Sequence, residues 1–451
     1  MTLLVIDWAG IGAKVLQFIL SFSILVTLHE LGHYATAKWF KCRVEKFYLF
    51  FDPWFSLWKK KIGETIYGIG WVPFGGYVKI SGMVDESMDK EQMKLPPKPY
   101  EFRSKPAWQR LIIMVAGVFM NVVLAIVIFI SITWVWGDEY VPMQNLKYGV
   151  YADSLGRKIG IQDGDKIIAV DTIQLERVGT TGSEIIMNEA KTLTIDRNGE
   201  IMKISIPAGF IGELNKNRLG GFTYVRFPLI VDSVLAKKAK VKSGSLQKGD
   251  TVIAFNNTPV HFNQDYAKLI KEYKNKDGVF TVVRNGKDTL GSTVFFDEEG
   301  NNYVGFRSMD KILGTSRTSY TFLESIPVGF NRCWETLDKY IRNLKLLFTS
   351  SEIKVSDSLG SVISIGDAFS SEWNWQGFWT LTAIFSILLA FMNILPIPAL
   401  DGGHALFCIY EIITGRKPTD KFMEYAQMFG MVLLLGLMAY ALGLDIFRLF
   451  K

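Results

Sequence analysis

Four stretches of this 451-residue chain are apolar over membrane-spanning lengths: about Ala13 to Phe40, Leu111 to Trp136, about Phe378 to Leu395, and about Ala426 to Phe447. A bilayer core takes about 20 residues of helix to cross, and it tolerates backbone polar groups only when they are bonded within the segment or a closed barrel. The expected fold is therefore a polytopic α-helical membrane protein with four transmembrane helices. Hydrophobic residues are 49% of the chain, low enough that soluble regions must separate the spans. A cleaved signal peptide fits the first stretch poorly, because no small-residue cleavage site follows the apolar run.

Lys and Arg near the span ends set the orientation. Lys59, Lys60, Lys61, Lys98, Arg103, Lys105 and Arg110 lie between spans one and two, and Arg416, Lys417 and Lys421 between spans three and four. Both connections are expected in the cytoplasm. The long segment between spans two and three opens with Gly137, Asp138 and Glu139 and is expected outside, with the N-terminus. Because the basic residues collect beside spans, the net charge of +6 is accounted for by topology and lipid headgroups and implies no nucleic acid. The three cysteines, Cys42, Cys333 and Cys408, show no paired spacing and no disulfide framework is expected.

The external segment repeats itself. GIQDGDKIIAVDT from Gly160 parallels SLQKGDTVIAFNNT from Ser245, and TLTIDRNGEIMKISI parallels FTVVRNGKDTL, which sets Asn198-Gly199 opposite Asn285-Gly286. Asn-Gly between alternating apolar runs marks a hairpin, since both residues accept positive φ. Two inserted β-rich modules follow, and their motif order looks like tandem PDZ domains, which bind extended peptides at a sheet edge.

The first span reads ILVTLHELGHYATAKWF over residues 24–40. Ionisable groups inside a bilayer are costly and mark function. Residues four apart on a helix are separated by about 40° around the axis and about 6 Å along it. His29 and His33 can thus aim at one metal, with Glu30 placed to act on a metal-bound water as in helical His-Glu-x-x-His zinc hydrolases. Two of the chain's 4 histidines lie in this motif.

A catalytic zinc takes three protein ligands and keeps an open position. FMNILPIPALDGGHALF, residues 391–407, supplies both Asp401 and His404, with Pro396 and Pro398 breaking the helix before them. Spacing alone leaves the choice between the two open.

HELGH in a first span, with NILPIPALDGG in a later one, resembles the site-2 protease family of intramembrane zinc metalloproteases. The resemblance implies His29, His33 and Asp401 as zinc ligands and Glu30 as the catalytic acid/base. It makes His404 a bystander or a neighbour of the ligands. WVPFGGYVKISG, residues 71–82, is similar to the family's membrane-associated strand-rich loop, which pairs with an extended substrate and implicates Gly75 and Gly76. Gly117 to Asn121 is similar to the family's Gly-x-x-x-Asn motif; the side-chain amides of Asn121 and Asn393 are candidates to hold substrate backbone. Two departures stand out: Val118 where the family often carries Pro, and Gly360-Ser361 where it often carries Gly-Pro.

With tandem PDZ-like modules, the layout resembles the bacterial branch that regulates envelope stress. The domain plan is then 1–137 (spans one and two, with the strand-rich loop), 138–220 (first PDZ-like domain), 221–308 (second), 309–376 (amphipathic linker region) and 377–451 (spans three and four). The implied activity is intramembrane cleavage of single-span substrates, of the anti-sigma-factor or remnant-signal-peptide type, in a bacterial inner membrane. The PDZ-like domains and N-terminus would be periplasmic, and peptide C-termini are candidate PDZ ligands. An edge strand from Tyr67 to Ser81 could receive the unwound substrate.

Residues 84–105 read as a polar, proline-bearing linker. Residues 318–376 begin with an amphipathic helix, its apolar positions including Phe330, Leu337, Ile341 and Leu344, that either packs on the PDZ-like modules or lies on the outer leaflet. The rival function is a metal-binding membrane sensor or transporter that cuts nothing. It has no need of Glu30, and a transporter would carry more polar groups than Asn121 and Asp445 in spans two and four.

Overall fold

The structure is a computed structural model that describes residues 7–83, 96–217, 221–235, 240–271 and 273–449. Most of the linker expected at 84–105 lies outside the described residues. The chain forms two compact units, Met1–Gly137 with Ser319–Lys345 and Leu359–Lys451, and Asp138–Thr318 with Leu346–Ser358.

The first unit contains four helices long and apolar enough to cross a membrane: α1 (Trp8–Trp39), α2 (Ala107–Trp136), α4 (Trp375–Ile394) and α6 (Asp420–Leu449). A long amphipathic helix, α3 (Phe322–Thr349), and the shorter α5 (Asp401–Thr414) complete its main helices. Lipid offers no hydrophobic drive for helix pairing, so small residues and buried hydrogen bonds carry the contacts. Gly32 of α1 lies on the Ala116 carbonyl of α2, where a Cβ has no room. Between α1 and α4, the hydroxyls of Ser21 and Thr382 meet at 2.9 Å, both fully buried.

Helix α4 stops at Ile394 because Pro396 has no N–H to continue it. The chain turns through Ala399, held at φ 86°, and α5 starts at Asp401. Gly403 packs its Cα against Ile397 and Pro398, where a Cβ would lie 2.6 Å from the Ile397 oxygen. The two glycines after Asp401 thus let α5 begin hard against the end of α4.

After α1, a four-stranded sheet forms in the order β2-β3-β1-β4, from β1 (Val44–Phe51), β2 (Trp58–Ile62), β3 (Thr65–Ile69) and β4 (Val72–Ile80). The β1–β3 pair is parallel and β1–β4 antiparallel. This corrects the expected Tyr67 to Ser81 edge. The chain turns at Gly70 and Trp71 and passes to the other side of β1, so Tyr67 on β3 is interior to the sheet and, of the two strands, β4 alone lies at an edge.

The amphipathic helix is α3; its residues in the first unit pack on α2, and its last turn, from Leu346, belongs to the second unit. Gly329 closes on the Ile130 backbone, and Cys333 and Leu337 join Ile128, Phe129 and Ile132. Phe322, Phe330, Trp334 and Ile341 remain exposed. Ser361, at one of the departures noted above, donates from N (2.8 Å) and Oγ (2.7 Å) to the buried Asp445 carboxylate of α6. A proline there would supply neither bond.

The second unit holds two β modules, each with its own core. In the first, strands Lys166–Val170, Thr192–Arg197 and Glu200–Ser205 form an antiparallel sheet, and Val150–Ala152 pairs with Thr223–Val225. In the second, Thr251–Phe255, Lys276–Arg284 and Asp288–Phe296 play the same parts, and Val231–Val234 pairs with Val304–Phe306. Asn198-Gly199 and Asn285-Gly286 form the hairpin turns, all four at positive φ. The Gly-Asp repeat becomes a duplicated ion pair: Asp165 with Arg197 and Asp250 with Arg284, each through two contacts of 2.8 Å, each aspartate 1% exposed.

Two boundaries differ from the expected plan. The first module runs past 220 to Val225, since Phe222 is in its core and Thr223–Val225 in its sheet. It also takes in residues 346–358, expected in the linker region: Leu346 and Ile353 join its core, and the Glu352 carboxylate accepts from the N–H groups of Gly209 (2.8 Å) and Ile211 (3.0 Å) at a helix start.

Candidate metal centre

The HELGH residues lie in the last third of α1, and the helical repeat turns His29 and His33 to the same side, against α2. The approach is possible because α2 offers Gly117 there. A Cβ at that position would overlap His33 Nε2 and lie 2.7 Å from His29 Cε1. Asp401 comes from the first turn of α5, delivered by the break after α4.

The three side chains converge. His29 Nε2 and His33 Nε2 lie 3.2 Å apart, and Asp401 Oδ2 lies 3.2 Å from the first and 3.3 Å from the second. Ligands at about 2.0–2.1 Å from a tetrahedral zinc are about 3.3 Å from one another, so the donor set fits zinc in kind and in spacing. The histidines are 8% and 6% exposed, and Asp401 Oδ2 is a buried oxygen with no hydrogen-bond partner, as expected of an atom reserved for a cation.

Neighbouring groups aim the rings. His33 Nδ1 lies 2.8 Å from the Ile113 carbonyl oxygen, which can only accept, so Nδ1 carries the proton and Nε2 keeps its lone pair for metal. The Asn121 amide sits 3.1 Å from His29 Nδ1, and the Ser386 hydroxyl donates to the Asn121 carbonyl at 2.7 Å. The Asn393 amide nitrogen lies 3.4 Å from His29 Nε2.

Beside the centre is a cavity of about 490 Å³, lined among others by His29, Glu30, His33, Asp401 and His404. Gly76 of β4 forms part of its wall, and a Cβ there would reach Val26 Cγ1 at 2.7 Å and Glu30 Cγ at 3.6 Å. Gly75, at φ 95°, sits against the Phe51 ring. His404 lines the cavity but lies outside the group of groups able to share a metal, His29, His33 and Asp401.

Not every candidate falls where the sequence suggested. Asn121 is fully buried against His29, and neither it nor Asn393 is on the cavity wall. Gln427 of α6, 9% exposed, lines the cavity although no sequence motif marks it; Lys46 and Tyr77 line it from the sheet, and Asp52 from the residue after β1. The Ile113 carbonyl has no signal in the sequence, because a backbone oxygen carries none.

The profile of Peptidase family M50 matches residues 17–437. Three bacterial relatives match over nearly their whole length. A zinc metalloprotease of Neisseria meningitidis serogroup A is 28% identical, covering 96% of this chain and 99% of its own. A zinc metalloprotease of Treponema pallidum is 26% identical, covering 92% and 95%. The regulator of sigma-E protease RseP of Escherichia coli K12 is 26% identical, covering 96% and 98%.

Proposed function

The chain belongs to peptidase family M50, the site-2 proteases, and is a zinc metalloprotease of a membrane; from that premise we propose that it cuts single-span substrates within or next to the bilayer. The observation that carries the reading is the meeting of His29, His33 and Asp401 at 3.2–3.3 Å amid apolar helices, on a cavity shared with Glu30.

In this reading His29, His33 and Asp401 hold the metal. Zinc, when bound, polarises the scissile carbonyl and lowers the pKa of water toward neutrality. Glu30 takes the proton from the attacking water and delivers it to the leaving amide nitrogen. A substrate helix must unwind before its carbonyl can react, and its freed backbone groups then need partners. The open edge of β4 meets that need by strand addition, with Gly75 and Gly76 keeping the approach clear of side chains. Asn393, next to His29 Nε2, is placed to donate to a substrate carbonyl.

The two β modules are read as PDZ-like domains on the periplasmic side of an inner membrane. Their duplicated strand order and matching hairpins support that assignment. They would exclude substrates with bulky external domains or bind newly cut C-termini; anti-sigma factors and remnant signal peptides are the proposed substrate classes.

The test is cleavage of a tagged single-span substrate, lacking its external domain, by purified protein in detergent. Wild type should cut within the span, and Glu30→Gln should not while retaining stoichiometric metal. If wild type also fails on several such substrates with metal bound, the sensor or transporter reading takes its place.

A further inference from the structure

We infer that Asn121 is a positioning residue for the metal centre: it fixes His29 in the tautomer that binds zinc, by presenting its amide oxygen to the Nδ1–H. The inference rests on the assignment of His29 as a ligand, and it gives Asn121 a different task from substrate binding.

Three observations carry it. The Asn121 amide is 3.1 Å from His29 Nδ1, the ring nitrogen facing away from the ligand cluster. Asn121 is 0% exposed, so no bulk water competes for that nitrogen. Its main chain is anchored as well, since Ser386 of α4 donates to the Asn121 carbonyl at 2.7 Å. Asn121 is thus tied to α1 through its side chain and to α4 through its main chain.

A neutral imidazole carries one proton. When Nε2 gives its lone pair to a metal, the proton must sit on Nδ1, and Nδ1 then requires an acceptor. His33 has one in the Ile113 carbonyl. For His29 the matching group is the Asn121 amide, whose two ends have nearly the same shape, so a half-turn of the amide exchanges donor for acceptor at Nδ1. The structure has the nitrogen end toward the ring and leaves Oδ1 buried without a partner. Zinc at Nε2 favours the oxygen end instead. The two ligand histidines are thus oriented differently, one by a fixed backbone acceptor and one by an adjustable amide.

The experiment measures zinc affinity of the purified full chain by competition with a chelator, comparing wild type, Asn121→Leu, Asn121→Asp and His29→Ala. Loss of a group that orients a ligand typically weakens metal binding about 10–100-fold. Asn121→Leu, similar in volume but unable to accept, should fall in that range, and Asn121→Asp, which accepts at either oxygen, should restore affinity. Wild-type affinity in a folded Asn121→Leu overturns the inference. If Asn121→Leu does not fold, nitrogen NMR of ¹⁵N-histidine-labelled, zinc-loaded wild type decides the matter: a protonated Nδ1 on His29 upholds the inference, and a metal-bound Nδ1 overturns it. His29→Ala separates the two levels. If it loses zinc while Asn121→Leu does not, only the role of Asn121 fails; if it keeps wild-type affinity, the ligand assignment itself fails.

Discussion

Gly117 on α2 lies against the imidazole of His33 on α1 so closely that a Cβ at position 117 would overlap the ring nitrogen aimed at Asp401. The metal centre is therefore shaped by the absence of a side chain as much as by its ligands. Gly117→Ala should force both imidazoles off their positions, since overpacking of a tight contact costs about 1–3 kcal/mol and the rings are the softest groups present. The expected outcome is a folded protein with much reduced zinc content. Metal analysis after gel filtration checks it, and full zinc occupancy would show that the helices move apart instead.

The centre should be dispensable for the fold. Clear of the three side chains, α1 still meets α2 at Gly32 and α4 through the Ser21–Thr382 hydrogen bond, and neither contact needs a metal. Dialysis against a strong chelator should abolish cleavage and leave the helical circular dichroism unchanged, and added zinc should restore activity. Loss of helix signal on chelation would instead make the metal a structural element of the bundle.

Most of the architecture could be read from the chain, for identifiable reasons. Spans are legible because a bilayer demands long apolar runs, and the Asn-Gly hairpins because few residue pairs accept positive φ. His29, Glu30 and His33 stand out because charge is rare in such runs, whereas Asp401 is set apart from His404 only by the family resemblance. What escaped the sequence is what depends on tertiary neighbours. The parallel β1–β3 pair places Tyr67 inside the sheet, which alternation along a strand cannot reveal. Leu346 and Ile353 belong to a core otherwise built between Leu146 and Phe222, far earlier in the chain, and no local pattern announces that. Asn121 was legible as important but not as a partner of His29, because a motif names residue types and not the atoms they touch.

Strand β4 can be tested at Gly76, whose Cα packs on α1. A Cβ there would stand 2.7 Å from Val26 Cγ1 and 2.8 Å from the Tyr48 carbonyl oxygen. Gly76→Val should push the strand away from Glu30 and reduce cleavage by an order of magnitude or more while zinc affinity stays at the wild-type level. That split between metal binding and turnover distinguishes a damaged substrate edge from a damaged centre. A parallel fall in zinc affinity would count against the proposed role of β4.

The Asp250–Arg284 ion pair of the second β module predicts an acid dependence. The Arg284 guanidinium holds the Asp250 carboxyl below its ordinary range, outweighing the opposing effect of burial. A carboxyl whose pKa is depressed on folding adds stability above its unfolded value of about 3.9, and this is lost as pH falls through the folded value. Arg284→Met should therefore weaken the second module clearly at pH 7 and much less near pH 3. Hydrogen exchange of the strands Thr251–Phe255 and Lys276–Arg284 in the full chain reads this directly. Equal protection in wild type and variant at pH 7 would refute it.

The last prediction concerns how Asp401 is held at its station. Arg110, 7% exposed near the start of α2, reaches Glu411 on α5 at 2.5 Å and also donates to the Lys105 carbonyl at 3.0 Å. Helix α5 begins at Asp401, so the ion pair pins the far end of the helix that carries this carboxylate. Removing one partner of a largely buried pair leaves the other charge unpaired and costs about 3–5 kcal/mol, whereas replacing both by apolar residues is far milder. Arg110→Leu alone should let α5 shift, lowering zinc affinity and cleavage together. Arg110→Leu combined with Glu411→Leu should recover much of both, because no unpaired carboxylate remains to pull the helix toward water. Zinc titration and cleavage on the two single variants and the double variant give a complete cycle. A double variant no better than the singles would mean that the charges themselves, and not merely the pairing, hold α5 in place.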